Sequence, residues 1–584
     1  YLDTDRLGEP SMNTADVQLV AGSTEKPANG IAGFKHLRHD ILSGMVVSLV
    51  SLPLSSGIAI ASGIPPIYGL ISAIIAGLIF PLIGGSYLTI AGPAAGLAPA
   101  LLAIMATMGG AGDAEHVGEG YHFLLVVIFM VGIAQLVMAL LKLARYCAII
   151  PVSVVEGMLA SIGMLIIVKQ IPSFFGYTGK VHAHEFYQYL GEIPKFAHGM
   201  TDQAFAVSFS TLVLLFWLGR MKNVALLKVI PPQLIAVVIG VVLGVVFKLK
   251  DLGPGFLISL PQNPFHGVHA PAFSELFARR DLWYAAIMAV ITLTMIDGVE
   301  SLATAMAVDR IDPYHRKSQP NRLLFAMGVC NIASSLIGGL TIIPGGVKSK
   351  ANIASGGRTL WANFTNAICL IIYLVFARDL INMIPKGVLA SVLIYTGWKM
   401  CEPLVWNHMA HIGKEQLAIF SFTIFATLMT DLLWGIIAGT IAKFALNTYF
   451  LRKAIQGSNI PAIQRPSVSQ GIYNFFANPV SRREMVEGNY HLYFNKPLVS
   501  FNSMHVCDEF DHVPQEAEAI TVHLDQCVAL IDHTSCEHLL STVEELARSG
   551  FPARVDGLDA LQPMSDYHAS VRVVRASETL VPAM

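Results

Sequence analysis

The chain has 584 residues, of which 54% are hydrophobic and only 13% are charged, and its net charge is −2. Soluble domains carry roughly 25% charged residues, so we expect lipid to surround most of this chain. The small net charge argues against a nucleic-acid partner. The seven cysteines form no Cys-x-x-Cys pair, so neither a zinc site nor a disulfide framework is indicated.

The beginning of the chain is polar and rich in glycine, proline, serine and threonine. It lacks the apolar core of a signal peptide, and we predict a flexible cytoplasmic N-terminus over residues 1–33. A basic cluster from Lys35 to His39 precedes the first apolar run and is expected to stay on the cytoplasmic side.

Apolar runs fill the chain from residue 41 to about residue 450, and a bilayer takes about 20 residues to cross. The first half, about residues 40–250, has continuous runs at 41–61, 67–83, 123–141, 148–168, 205–218 and 229–247. The second half, about residues 283–453, has them at 283–308, 323–337, 362–376, 388–395, 417–432 and 433–450. With one interrupted segment in each half, we predict a polytopic α-helical membrane protein of about 14 segments. About seven segments per half would insert the second half upside down, as an inverted repeat.

The interrupted segments are Gly84–Gly96 and Gly338–Lys350, and both contain glycine and proline between apolar runs. Interrupted segments at matching places in two halves indicate a binding site built from broken helices. A helix that restarts after such a break points free N–H groups and a positive dipole end at the site, which favours an anion. The alternative is a pair of helix kinks that pack on glycine.

Two acids, Asp297 and Glu300, lie inside an apolar run, and ionisable residues at membrane depth are functional by default. Glu300 and Thr304 are four residues apart and share a helix face, where their oxygens suit a proton or a small cation. Lys348 would add positive charge to the anion site, with Lys350 facing elsewhere. Alternatively, Glu300 only pairs with Lys348 as a structural tie, and Asp297 lies nearer the outer end in wetter surroundings.

The composition becomes polar after residue 450. We predict a linker over residues 454–487 and a small α/β domain over residues 488–584. Its predicted elements are strands over His491–Ser500, Ala519–Ala529 and Phe551–Gly557 and a helix between Ile531 and Ser549. Thr534 or Ser535 is expected to cap this helix. The chain has no glycine loop of the kind that cradles phosphates, so an ATPase is not supported.

Four motifs resemble a known family: SLPLSSGIAIASGIPPIYGL at residues 51–70, GPAAG at 92–96, ESLATA at 300–305 and SGGRT at 355–359. They are similar to the SulP anion permeases, solute carrier family 26, over about residues 34–575. The resemblance implies a seven-plus-seven inverted repeat with a core domain and a gate domain. It implies that the transmembrane anion transport domain spans residues 34–453 and that the anion binds between the two breaks. The implied anion-binding residues are Ala91, Gly92, Ala94, Gly345, Gly346, Val347 and Lys348.

The coupling ion is less clearly implied by the resemblance. In sodium-coupled bicarbonate members of the family, an acid and a threonine on the eighth helix bind the cation, and they match Glu300 and Thr304. A threonine that follows the first break in those members is Ala94 here, which leaves protons open beside sodium. The family's usual arginine after the second break is Lys348, which keeps the charge but loses the planar fork. Asp297 is a further candidate for the cation.

The polar C-terminal region resembles the STAS domain that SulP proteins carry. The serine that is phosphorylated in the related anti-sigma-factor antagonists would fall near Thr534 or Ser535, which makes these two residues regulatory candidates. A simple helix cap is the alternative.

These observations predict a secondary active transporter, not an enzyme, of a small oxyanion such as bicarbonate or sulfate. Sodium or a proton would be the coupling ion. A channel or exchanger of the same fold, a C4-dicarboxylate transporter and a membrane sensor are the alternatives. The resemblance also implies a homodimer in the plasma (bacterial inner) membrane, with the N-terminus and the STAS domain in the cytoplasm.

Overall fold

A computed structural model describes residues 26–110, 117–144, 150–179, 181, 183, 186–221, 231–260, 269–430, 432–457, 468–514, 516–524, 528–548 and 550–574. Within these ranges, seven helical stretches are long and apolar enough to cross a membrane by length and composition. Shorter apolar helices accompany them.

The first half contains one short strand and eight α-helices in its described part. They are α1 (Leu37–Ala61), α2 (Pro66–Ile83), β1 (Ala91–Pro93), α3 (Ala98–Thr107), α4 (Glu119–Leu140), α5 (Val152–Phe174), α6 (Phe186–His198), α7 (Asp202–Arg220) and α8 (Pro232–Val246).

The second half repeats the pattern of long helices around one short strand. Its elements are α9 (Phe273–Ala278), α10 (Trp283–Arg310), α11 (Pro320–Leu336), β2 (Ile342–Pro344), α12 (Gly346–Ala354), α13 (Trp361–Phe376), α14 (Arg378–Ile381), α15 (Lys386–Cys401), α16 (Pro403–Ile412), α17 (Lys414–Met429) and α18 (Leu432–Gly457). Proline stands in the first turn of several helices, where its missing N–H would be unpaired anyway. Examples are Pro66, Pro232, Pro320 and Pro403.

Each continuous apolar run of the sequence coincides with a helix over the described residues. The run at 388–395, too short to span, is the centre of the longer helix α15, which begins after Pro385 and continues to Cys401. The flexible N-terminus ends earlier than residue 33. Asn29 donates to the carbonyl of Ser86 (2.6 Å), and Phe34 stacks on Trp361 with ring centroids 4.6 Å apart.

The helices pack in two bundles. In the first bundle, α4 packs along α10 and α11, and α13 packs along α1 and α2; α3 and α12 complete it. In the second bundle, α5 packs along α15 and α17, α15 packs on α7, and α7 and α17 contact α8 and α18 respectively. The bundles meet where α1 contacts α15, α3 contacts α5 and α10 contacts α18.

A glycine pair marks a close helix crossing in each bundle. A Cβ atom on Gly328 of α11 would lie 2.8 Å from the carbonyl oxygen of Gly132 on α4. A Cβ atom on Gly397 of α15 would lie 2.6 Å from the carbonyl oxygen of Gly163 on α5. Lipid gives helices little hydrophobic reason to associate, so close backbone approach at small residues supplies much of the packing energy.

The C-terminal region is an α/β unit. Its elements are α19 (Val468–Phe476), β3 (Val480–Val486), β4 (Asn489–Phe494), α20 (Ser503–Asp511), β5 (Ala519–Leu524), β6 (Leu530–Ile531), α21 (His533–Arg548), β7 (Ala553–Asp556), β8 (Leu561–Pro563) and β9 (Arg572–Val574). One sheet has the order β3-β4-β5-β7, with β3 antiparallel and the others parallel, and the second has the order β6-β9-β8.

The predicted linker over 454–487 is wrong in part, because β3 lies inside it and pairs with β4. Charged residues at successive positions conceal the strand in the sequence, since β3 is an exposed edge strand. The predicted strand over Ala519–Ala529 ends as β5 at Leu524, and residues 525–527 lie outside the described part of the chain.

Gly397→Ala is expected to destabilise the second bundle. The new methyl group would meet a backbone oxygen that cannot swing away, and overpacking of this kind costs about 1–3 kcal/mol. Thermal unfolding of the detergent-solubilised protein should show a lower Tm. Gly191→Ala in α6 is the matched control, because nothing lies within 4 Å of the added Cβ atom. Equal Tm values for Gly397→Ala and the parent would contradict the close crossing.

Candidate functional site

The two interrupted segments meet as a two-stranded antiparallel ladder. Strand β1 pairs with β2 in the register Ala91 to Pro344, Gly92 to Ile343 and Pro93 to Ile342. The backbone N–H of Gly345 extends the ladder by donating to the carbonyl of Ile90 (2.8 Å). The breaks are therefore one joint structure rather than two separate kinks, which excludes the alternative of independent kinks on glycine.

The helices that follow the two strands begin at different distances from the ladder. Helix α12 begins at Gly346, two residues after β2, whereas α3 begins at Ala98, five residues after β1. Among the predicted anion-binding residues, Ala91, Gly92, Ala94 and Lys348 are buried, and Gly345, Gly346 and Val347 are half-buried. The N-terminus of α12 is thus the helix end next to the ladder, and the expected symmetry of two helix ends is only approximate.

Asparagine side chains hold the outer edges of the ladder. Asn331 of α11 accepts the N–H of Ile342 (2.6 Å), and Asn363 of α13 accepts the N–H of Ala91 (2.9 Å). Asn363 also donates to the carbonyl of Thr89 (2.8 Å). Backbone groups at membrane depth need such partners, because no bulk water reaches them.

Lys348 is buried, with 1% of its surface exposed, on the first turn of α12. Its Nζ atom has no hydrogen-bond partner among the residues that the structure describes. The ammonium group lies directly against Gly92, where any Cβ atom would collide with Nζ. Lys350, in contrast, is exposed, as predicted. The first glycine of the GPAAG motif therefore makes room for the Lys348 side chain.

Glu300 of α10 occupies the equivalent position against the second glycine of that motif. A Cβ atom on Gly96 would lie 2.6 Å from both Glu300 carboxylate oxygens. Glu300 is 7% exposed, and its Oε2 atom has no hydrogen-bond partner in the described part of the chain. No ion pair joins Glu300 to Lys348, so the structural tie between them is wrong.

Thr304 lies one turn after Glu300 and faces the beginning of α12. A Cβ atom on Gly346 would lie 3.8 Å from Thr304 Cγ2. The Glu300 side chain therefore lies against Gly96, and the Thr304 side chain lies against Gly346 at the beginning of α12. This places the predicted cation-coupling pair beside the predicted anion-binding residues.

Asp297 is fully buried, so the expectation of wetter surroundings is wrong. Its Oδ1 atom accepts hydrogen bonds from Gln135 Nε2 (2.7 Å) and Ser301 Oγ (3.2 Å), and its Oδ2 atom accepts one from Asn331 Nδ2 (3.2 Å). Helices α4 and α11 cover this side of α10. Sequence reasoning missed Gln135, Asn331 and Asn363, although buried amides in apolar helices are a signal of this kind.

The two regulatory candidates lie at a contact between the C-terminal unit and the second bundle. Thr534 is 1% exposed and accepts the N–H of Val152 at the beginning of α5 (3.3 Å). Ser535 is 4% exposed. Neither caps α21, because Asp532 does so by accepting the N–H of Ser535 (2.9 Å). Both hydroxyls are inaccessible to a kinase in this arrangement.

Asp532 also joins the C-terminal unit to α18. Its Oδ2 atom lies 3.6 Å from Lys443 Nζ and accepts from Asn447 Nδ2 (3.1 Å) and the N–H of Ser500 (3.0 Å). Burial alone would raise the pKa of this carboxyl, but the Lys443 ammonium and the N–H groups of Ser535 and Ser500 hold that pKa below its usual range. This buried contact between Lys443 and Asp532 therefore joins the two units.

Comparisons with known proteins place the chain in a family. The sequence model of the Sulfate permease family matches residues 37–424. Bicarbonate transporter BicA of Picosynechococcus sp. is 25% identical over 458 residues, which are 78% of this chain and 77% of that protein. Sulfate transporter 4.1, chloroplastic, of Arabidopsis thaliana is 24% identical over 414 residues, which are 69% of this chain and 57% of that protein.

The fold also matches that of a solved anion transporter. The structure of murine Solute Carrier 26 family member A9 in the inward-facing state matches with a TM-score of 0.61 at 14% identity, over 95% of this chain and 90% of that one. The family match covers more than half of the chain, and it confirms the prediction of a membrane transporter rather than an enzyme. The chain belongs to the sulfate permease family.

Proposed function

We propose that the protein is a secondary active transporter of a small oxyanion, bicarbonate or sulfate, coupled to sodium or protons. The observation that carries the proposal is the Lys348 side chain, whose Nζ atom is buried beside the strand ladder and has no protein partner in the described part of the chain. A buried charge that lacks a partner costs several kcal/mol. A bound anion would supply the missing partner.

The beginning of α12 supports the same ligand. Its first N–H groups have no intrahelical acceptors, and the helix end carries roughly half a positive charge. Gly345 and Gly346 let an anion approach these N–H groups closely, since neither has a side chain. The proposed anion-binding set is the predicted one: Ala91, Gly92, Ala94, Gly345, Gly346, Val347 and Lys348.

The proposed coupling site is the Glu300 carboxylate together with Thr304. Glu300 Oε2 has no protein donor in the described part of the chain, so a proton or a sodium ion would be its partner. The carboxylate lies on Gly96 and the ammonium on Gly92, within one motif. Binding of an ion at Glu300 or at Lys348 would therefore change the electrostatic potential at the other side chain without direct contact between the two.

The proposed movement is that of the first bundle, as a core domain, against the second, as a gate domain. Each bundle has its own close glycine crossing, so each can move as a unit. At their contact, a Cβ atom on Gly57 of α1 would lie 3.3 Å from Leu393 of α15, and a small residue keeps this surface smooth. The seven-plus-seven inverted repeat and a homodimer in the plasma membrane complete the proposal by family resemblance.

We also propose that the C-terminal unit is a cytoplasmic STAS domain. A mixed sheet with an antiparallel edge strand and a helix capped by Asp532 supports it. Through Thr534 and Asp532 this unit contacts α5 and α18, which both belong to the second bundle. The domain would therefore stay with the gate while the core moves.

Uptake into proteoliposomes tests the function. Labelled bicarbonate or sulfate should accumulate above its external concentration when an inward sodium or proton gradient is imposed, and uptake should saturate. Ohmic anion current without saturation would identify a channel, and preference for a C4-dicarboxylate would replace the substrate class. Anion binding without flux would indicate a sensor.

Glu300→Gln is expected to abolish uphill uptake and largely preserve anion binding, because the amide keeps the size of the side chain but loses its charge. Gradient-driven accumulation should fall at least about tenfold, an effect of about 1.4 kcal/mol. Glu275→Gln, at an exposed acid of α9, is the matched control and should accumulate like the parent. Accumulation by Glu300→Gln at the parent level would remove Glu300 from the coupling site.

Gly96→Ala is expected to lower uptake by about tenfold or more, because the added methyl group would displace the Glu300 carboxylate from its place against Gly96. Gly298→Ala is the control, on the same helix α10 that carries Glu300. Nothing lies within 4 Å of its added Cβ atom. Initial rates, normalised to the amount of protein in the liposomes, give the comparison. Equal rates for both variants would show that the Gly96 contact has no functional role.

A further inference from the structure

The donor and the acceptor of each amide hydrogen bond around Asp297 can be assigned, because the network begins at a backbone N–H. The backbone N–H of Ile342 can only donate, so the Asn331 atom that faces it must be Oδ1. Asn331 therefore presents Nδ2 to Gln135 Oε1 (2.9 Å) and to Asp297 Oδ2 (3.2 Å). Because its Oε1 atom is thus an acceptor, Gln135 presents Nε2 to Asp297 Oδ1 (2.7 Å).

Both oxygens of Asp297 therefore face N–H donors, and the Ser301 hydroxyl, which can donate or accept, lies 3.2 Å from Oδ1. A proton on Oδ2 would point at the Asn331 amide donor, whereas a proton on Oδ1 has the Ser301 oxygen as its acceptor. Rotating the amide of Gln135 or Asn331 does not help, because each rotation places two donors or two acceptors together elsewhere in the chain of bonds. The two amide N–H groups therefore require an acceptor oxygen at each position of the Asp297 carboxyl group.

We propose that Asp297 is a positioning residue whose two acceptor oxygens orient Gln135 and Asn331, so that Asn331 holds β2 in register with β1. Asp297 thus acts on the anion site through the strand and does not bind the coupling ion, a role left to Glu300. The functional consequence rests on the proposed transport of an anion. The structural part, from carboxylate to strand, does not depend on it.

The position of β2 matters to the site for a direct reason. Strand β2 ends at Pro344, and the N–H groups at the beginning of α12 follow within two residues. A shift of Ile342 would therefore move Gly346 and Lys348 relative to Gly92. Loss of the network should weaken anion binding more than it slows the turnover of bound anion.

Two isosteric variants test whether the carboxyl group is needed in the network or needed at position 297 itself. Asp297→Asn replaces one acceptor oxygen by a donor, which leaves two donors face to face. The double variant Asp297→Asn/Gln135→Glu moves the carboxylate to position 135, where it accepts from both Asn331 and the new amide. We expect Asp297→Asn to raise the KM for the anion at least about tenfold, with a smaller change in maximal rate. The double variant should return KM to within about threefold of the parent.

Amide hydrogen exchange of residues 338–346, without substrate, supplies a readout independent of transport. Exchange should be faster in Asp297→Asn and should match the parent in the double variant. Cys330→Ala, at a buried neighbour of Asn331, is the control and should change neither KM nor exchange. If the parent transports none of the anions tested while exchange follows this pattern, the proposed function fails and the positioning role stands.

Three results would overturn the inference. The first is a parent-like KM and parent-like exchange in Asp297→Asn. The second is a double variant that folds but keeps the high KM, because the carboxylate would then be needed at position 297 itself, as for a bound cation. The third is a double variant that does not fold, since it keeps one carboxylate and one amide in the network, as the parent does.

Discussion

The ladder between β1 and β2 is the constraint on which the rest of the site depends. Backbone groups at membrane depth must find partners within the protein, and these two strands satisfy each other along three residue pairs. Because they come from different halves of the chain, their pairing joins the halves at the site itself. The asparagines at the edges of the ladder, Asn331 and Asn363, then fix it to α11 and α13.

The ladder makes the spacing of the GPAAG motif understandable. Gly92 lies under the Lys348 ammonium, and Gly96 lies under the Glu300 carboxylate. The motif thus gives space to two opposite charges and keeps them from forming an ion pair. A tight Glu300–Lys348 pair would neutralise both groups and remove the reason for a ligand to bind. The separation of the charges is therefore the feature that suits transport.

Much of this arrangement was predictable from the sequence, because it depends on local patterns. Apolar runs indicated the helices, glycine and proline indicated the breaks, and a lysine and a glutamate at membrane depth indicated the candidate site. The surroundings of Asp297 were predicted wrongly, because its donors come from Gln135 and Asn331 on other helices. Local patterns carry no information about such partners. The capping role of Asp532 was missed although an aspartate three residues before the N–H of Ser535 is itself a local N-cap signal.

The two halves of the chain contribute different parts of the candidate site. Asp297, Glu300 and Lys348 all belong to the second half, and α12 begins two residues after β2. The first half supplies Gly92 and Gly96, and its helix α3 begins five residues after β1. One half therefore supplies the charges and the helix end, and the other supplies the space they occupy. Since the ladder couples the halves, a shift of either strand would move Lys348 relative to Gly92.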